Sequence, residues 1–126
     1  MINKDIDSER QLTIHVLYGR ILIQELSDAV KELYNSGPTL NHLWDLTEAD
    51  LSQIRGDDLR KLATFVKRYA PARVGGRTAL VSINDLGFGL SRMYEVFAEI
   101  SDQQVEIKVF RSRKEAEKWI SSGLDK

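Results

Sequence analysis

The spacing of apolar and polar positions changes period several times along this chain, and each change marks an element. Residues 2–6 form a short strand candidate. In residues 11–18, QLTIHVLY, Leu12, Ile14, Val16 and Tyr18 share one face, with Thr13, His15 and Leu17 on the other. That two-residue period is the mark of a strand. Asp7-Ser8-Glu9-Arg10 between them is turn-like, so the two segments are expected to form an antiparallel hairpin that ends at Gly19-Arg20. From Ile23 the period lengthens. Leu26, Ala29, Val30, Leu33 and Tyr34 recur at helical spacing until about Asn35. Ser36-Gly37-Pro38 closes this helix, because Gly suits the C′ position and Pro cannot continue it.

The remaining elements follow in alternation. Residues 40–46, LNHLWDL, read as a short buried strand, and residues 47–56 as a loop or single turn. Residues 57–69 read as a helix. Leu59, Leu62, Ala63, Val66 and Ala70 form its apolar stripe; Arg60, Lys61, Thr64, Lys67 and Arg68 form its outer face. Asp57 and Asp58 cap its start and complement the macrodipole. Pro71 ends it, and Val74-Gly75-Gly76 turns the chain. Residues 77–83 are a buried strand, 85–101 a helix and 105–110 an alternating strand. Ser112 opens a last helix with Glu115 three residues on, the spacing of a capping box; Ala116, Trp119 and Ile120 give it a packing face.

The order is ββαβαβαβα. It predicts an α/β fold in a single domain over residues 1–126, with a mixed, mostly parallel sheet, an N-terminal hairpin and helices packed on the sheet. In such sheets ligands bind beyond the carboxyl ends of the parallel strands. Here those ends carry Asp45, the 47–57 loop and residues 84–89.

The 85–101 helix is the least regular. At about 100° per residue, Leu86, Leu90, Met93, Phe97 and Ile100 fall in one narrow stripe, expected to be core, flanked by Tyr94 and Val96. Phe88 falls on the far side with Ser91, Arg92, Glu95 and Glu99. Three roles fit a Phe there: tucked under the preceding loop, part of an interface, or lining a pocket. Gly87 and Gly89 beside it each cost a helix up to ~1 kcal/mol relative to Ala, so each wants a reason. Gly-x-Gly alone is a weak nucleotide fingerprint.

Composition narrows the chemistry. The 126 residues contain no cysteine, which removes disulfides, thiolate catalysis and Cys-ligated metals and fits a reducing, cytoplasmic setting. No apolar run approaches the ~20 residues of a membrane span. Net charge is −1 but uneven: Arg55, Arg60, Lys61, Lys67, Arg68, Arg73 and Arg77 face only Asp57 and Asp58, so that segment is +5 and the rest −6. A solvated helix face accounts for most of this. The alternative is attraction to an acidic partner or an anionic membrane surface. Nucleic acid is not expected, because Phe65 and Tyr69 lie toward the buried side and the isoelectric point is about 6.1.

His15 and His42 lack metal-ligand spacing, and no nucleophile elbow or Ser-His-Asp set is present. No metal, cofactor or catalytic residue is expected. Asp45 and Asp85 are the one carboxylate pair placed to share a proton or cation, with loop capping as the plainer role.

DLGFGLSRMYE (residues 85–95), VEIKVFRSRKEAEKWI (105–120) and LWDL (43–46) together resemble the SpoIIAA-like proteins of the STAS superfamily over nearly the whole chain. The resemblance implies a non-enzymatic interaction module. STAS domains are known as anti-sigma-factor antagonists and transporter tails. A likeness to CRAL-TRIO domains adds hydrophobic ligand binding and membrane association. In the antagonists a phosphorylatable Ser opens the second helix. Here Gly56 and Asp57 stand at that turn, with no hydroxyl.

Two working surfaces are therefore expected. One is an interaction or homodimer surface of Gly56, Asp57, Asp58, Gly87, Phe88, Gly89, Arg92 and Tyr94. The other is a hydrophobic-ligand pocket between the 57–69 and 85–101 helices, lined by Phe65, Tyr69, Leu86, Met93 and Phe97.

Overall fold

The computed structural model describes residues 1–100 and 104–124, apart from the side chain of Ala70. Ala70 in the expected stripe and Ser101 at the expected helix end thus lie outside the described residues. The strands are β1 (Ile2–Asp7), β2 (Leu12–Arg20), β3 (Asn41–Asp50), β4 (Arg77–Val81) and β5 (Glu106–Phe110). The helices are α1 (Ile23–Asn35), α2 (Gly56–Lys67), α3 (Asp85–Ile100) and α4 (Arg113–Leu124). A 3₁₀ turn over Ala70–Arg73 follows α2.

The sheet order is β1-β2-β3-β4-β5. β1 pairs antiparallel with β2, and the other neighbours are parallel. This is the expected ββαβαβαβα arrangement.

Side-chain parity divides the molecule into two cores. On one face Leu17, Trp44, Leu80 and Val109 from the strands meet Val30 and Leu33 of α1 and Leu59, Leu62 and Val66 of α2. On the other, Leu12, Ile14, Leu43, Ala79 and Val81 meet Ala116 and Ile120 of α4. Three helices therefore cover one face and a single helix the other. His15 and His42 are fully buried on the three-helix side. His15 stacks on Trp44, with ring centroids 3.9 Å apart.

Three expectations need correction. The 47–56 segment is not simply a loop, because β3 continues to Asp50. It pairs there with Tyr18, Gly19 and Arg20, so Gly19 and Arg20 are the last paired residues of β2 and not a turn that stops it earlier. The register shifts between Val16 and Tyr18, where β3 carries one extra residue. Second, α2 begins at Gly56, and Asp58 reaches back to accept the Arg55 N–H at 3.0 Å, while Asp57 pairs with Arg60.

The third correction concerns which face α3 buries. Gly87, Ser91 and Ala98 are its buried residues. Leu86 is 52% exposed, Met93 40%, Val96 47% and Ile100 77%. The expected core stripe thus points largely outward, and Ser91, expected outside, is inside. The cause is the close seating of the helix start. Asn84 Oδ1 accepts the Gly87 N–H at 2.8 Å and caps the first turn. A Cβ on Gly87 would lie 2.1 Å from Ser82 Oγ. Small inner residues let the backbone press against the end of β4, and the large apolar side chains are left on the outside.

Candidate functional site

α2 and α3 lie side by side. A Cβ on Gly56 would sit 2.7 Å from Met93 Sδ, so the N-terminus of α2 abuts the middle of α3. Between these two helices, α1 and the sheet lies a cavity of about 90 Å³. Most of its wall is apolar, including Leu33, Trp44, Leu62, Leu80 and Leu90. Its polar lining comes from Tyr34, His42, Arg73, Thr78, Ser91 and Tyr94.

Arg73 organises that polar group. It is 3% exposed. Its Nε donates to Leu40 O at 3.0 Å and its Nη1 to Tyr34 Oη at 3.2 Å. Its Nη2 donates to Arg77 O at 3.1 Å and Thr78 Oγ1 at 2.8 Å. All four acceptors are neutral, and among the described residues no carboxylate pairs with it. Burial pulls its pKa below the ordinary arginine value. Arg77, the other buried arginine, does have an acid, Glu106 at 3.7 Å.

Two buried polar atoms on the cavity lining have no hydrogen-bond partner: His42 Nε2 and Ser91 Oγ. Burial drives the His42 pKa well below its usual value, so the imidazole is neutral. Such orphans are uncommon in folded proteins and call for an explanation.

None of Phe65, Tyr69, Leu86, Met93 and Phe97 lines this cavity. Tyr69 stacks on Tyr34 at 5.2 Å and Phe65 tilts against Tyr69 at 5.2 Å, one layer behind the wall. Phe97 is half-buried against the main core, Leu86 is exposed, and Met93 is 40% exposed with its sulfur beside Gly56 of α2. Arg73, His42 and Ser91 were not among the expected site residues. One signal for Arg73 was present: no acidic residue occurs anywhere from Leu59 to Asn84.

The expected interaction residues do not share one surface. Gly87 is buried. Phe88 packs half-buried against the main core, with the Arg111 guanidinium 4.0 Å from its ring centroid. That cation–π contact satisfies the ring where an interface role had been one option. Tyr94 lines the cavity. Gly89 and Arg92 are exposed, and Arg92 pairs with Glu95 at 3.0 Å. Gly56, Asp57 and Asp58 lie at the start of α2.

What α3 does present outward is a regular row. Leu86, Gly89, Met93, Val96 and Ile100 are all exposed, and their 3-4-3-4 spacing is that of a coiled-coil seam. A Cβ on Gly89 would meet nothing within 4 Å, so no contact within the chain requires glycine there.

Asp45 and Asp85 are engaged separately. Asp45 accepts the Thr47 N–H at 3.0 Å and pairs with Arg113 at 3.4 Å. Asp85 is 99% exposed beside Arg111 at 3.4 Å. Among the described residues no group of His, Asp or Glu is arranged to hold a metal ion, and no helix is long and apolar enough to cross a membrane.

This topology is a SpoIIAA-like α/β fold. Among solved structures the chain is similar to an uncharacterised protein of the DUF3478 family with a SpoIIAA-like fold from Shewanella loihica PV-4. The TM-score is 0.61 at 19% identity, over 95% of this chain and 92% of that one. No protein-family model matches the chain, and no curated protein matches it.

Proposed function

We propose that this chain is a non-enzymatic, STAS-type regulatory binding module that associates with a second copy of itself through the outer face of α3. One observation carries the reading: large apolar residues at heptad spacing face solvent, with Gly89 among them where the chain itself has no use for a glycine. Exposed apolar patches of this kind mark interaction surfaces, and a helical glycine admits a close neighbour.

The row also suits a two-fold partner. From Leu86 to Ile100 it spans about 21 Å, with Met93 at its centre. An antiparallel copy sets Leu86 opposite Ile100 and Met93 near the axis, the self-complementarity that isologous pairing requires. One helix face is a small interface, so association is expected to be weak and concentration-dependent.

Analytical ultracentrifugation over a concentration series tests this. Wild type should shift from monomer toward dimer with concentration, and Met93→Glu should remain monomeric with unchanged secondary structure. A wild type that stays monomeric throughout, or a Met93→Glu dimer, would sink the reading. So would binding of the monomer to anionic vesicles through the same residues, since Arg60, Lys61, Lys67 and Arg68 lie exposed on the neighbouring helix.

A second reading rests on the cavity: a sensor or carrier of a small hydrophobic molecule. Its apolar wall and concentrated polar groups have the character of a ligand site.

A further inference from the structure

We propose that the cavity beneath α2 and α3 is a binding site for a small carboxylate, its anionic head held by Arg73 and Ser91 and its apolar tail against Trp44, Leu62 and Leu80. The proposal rests on the second reading above and adds the chemical class of the ligand.

The argument begins with charge. A buried guanidinium without an anion is costly, because the low-dielectric interior removes its hydration and returns no opposite charge. Elsewhere in the chain Arg10 pairs with Asp7 and Glu117, Arg77 with Glu106, and Arg113 with Asp45 and Glu117. Arg73 is deeply buried and, among the described residues, has neutral acceptors alone. Of the five N–H groups of an arginine, those four bonds leave one on Nη1.

Two hydrogen-bond vacancies, on Ser91 and Arg73, have the matching sense. Ser91 Oγ has a hydroxyl proton that can turn toward an acceptor. Neutral His42 has one proton, and its hydrogen bond to the Thr39 backbone holds that proton on Nδ1, so the vacant Nε2 is an acceptor. With the spare Nη1 proton, two donors line the cavity and no acidic acceptor lies among its lining residues. A carboxylate brings two acceptor oxygens and the missing negative charge. An amine would meet a buried cation, and a neutral alkane would leave both donors orphaned.

Size sets the rest. About 90 Å³ is room for a handful of non-hydrogen atoms, given that a 150 Å³ engineered cavity accepts benzene. The structure as it stands therefore fits a short-chain acid. A longer fatty acid needs α2 and α3 to part.

The test is an amide NMR titration of the full chain with butyrate, with butan-1-ol as its neutral counterpart, and with octanoate. Butyrate should shift the amides of Thr78, Leu80 and Ser91 saturably, and butan-1-ol should bind about tenfold or more weakly. Ser91→Ala should weaken butyrate while leaving the alcohol unchanged. Ser91→Leu, which fills the space, should abolish both. Octanoate binding more tightly than butyrate assigns the site to a longer acid; the reverse assigns it to a free short one. Either supports the proposal.

Equal affinity for acid and alcohol would overturn the head-group assignment and leave the carrier reading standing. Absence of shifts with all three compounds would overturn both. Butyrate shifts confined to the outer face of α2, near Arg60 and Lys67, would mean surface ion pairing and would overturn the proposal as well.

Discussion

The two glycines at the start of α3 have the same residue type in the same helix, and the fold predicts opposite responses to one methyl group. Gly→Ala in a helix ordinarily stabilises by up to ~1 kcal/mol, through lower backbone entropy in the unfolded chain. At Gly89 nothing opposes that gain, since its added Cβ has no neighbour within 4 Å. At Gly87 the added Cβ would lie 2.1 Å from Ser82 Oγ, 3.2 Å from Asn84 Oδ1 and 3.3 Å from Ser82 Cβ. Relief requires the helix to rise from β4 or its cap to open, and overpacking of this kind costs about 1–3 kcal/mol. Net of the helix term, Gly87→Ala should destabilise by about 1–2 kcal/mol. At this chain length each kcal/mol is roughly 3–5 °C in Tm.

Urea unfolding followed by circular dichroism measures both variants, with equal slopes required for comparison. Ser82→Ala completes the cycle. Its hydroxyl is buried without a partner, so its loss alone should be neutral or mildly stabilising. Combined with Gly87→Ala it should restore most of the loss, a coupling of about 1 kcal/mol or more. A Gly87→Ala protein as stable as wild type, or one that moves with Gly89→Ala, would refute the close seating of α3.

Other outcomes can be checked on the same material. Gly89→Ala, though stabilising to the monomer, should weaken the concentration-dependent association in ultracentrifugation, because its methyl group enters the seam. Asn84→Ala should cost about 1 kcal/mol in urea titration through loss of the cap on Gly87. Burial pulls His15 down to about 4 and His42 well below its usual value. The folded state therefore favours their neutral forms. Their contribution is fully present above pH ~6.5 and is lost as pH falls toward the folded value, at up to ~1.4 kcal/mol per pH unit for each histidine. Between pH 6.5 and pH 5, where few carboxylates titrate, stability should drop, and His15→Gln should flatten that slope; a flat wild-type profile would show that these imidazoles are solvated.

Strand parity was fully legible in the sequence. The inward and outward residues of β2 follow from alternation alone, and the stripe Leu59, Leu62, Ala63 and Val66 of α2 follows from its 3.6-residue period. The Ser112 cap was legible as well, and Glu115 N donates to its hydroxyl at 3.3 Å. α3 was read on the wrong face because hydrophobicity weighs large side chains and barely registers Gly, Ser and Ala. Which residues of a helix face the core also depends on how close its axis can come, and Gly87 and Ser82 set that distance. The cavity was hidden for a related reason. Its lining draws on α1, β3, β4 and β5 as well as the two helices, and only the register brings His42 beside Thr78. Arg73 looked like one more basic residue of a charged segment, whereas its place at the end of the 3₁₀ turn carries it inward.

The single helix on the far face has a consequence for how the chain is made. The strands lie in the sheet in the order of synthesis, so each emerging strand can add beside its predecessor while translation continues. α4 alone returns across finished structure. Its Glu117 reaches Arg10 at 3.0 Å and its Arg113 reaches Asp45 at 3.4 Å, and Arg77 Nη1 donates to Trp119 O at 2.6 Å. Until Ala116 and Ile120 arrive, Leu12, Ile14, Leu43, Ala79 and Val81 form an uncovered apolar sheet face, the kind of surface that aggregates in partly folded chains. α4 thus acts as a lid on the nascent chain. A ribosome stalled after β5 would display a nearly complete sheet with one sticky side, a natural target for a chaperone.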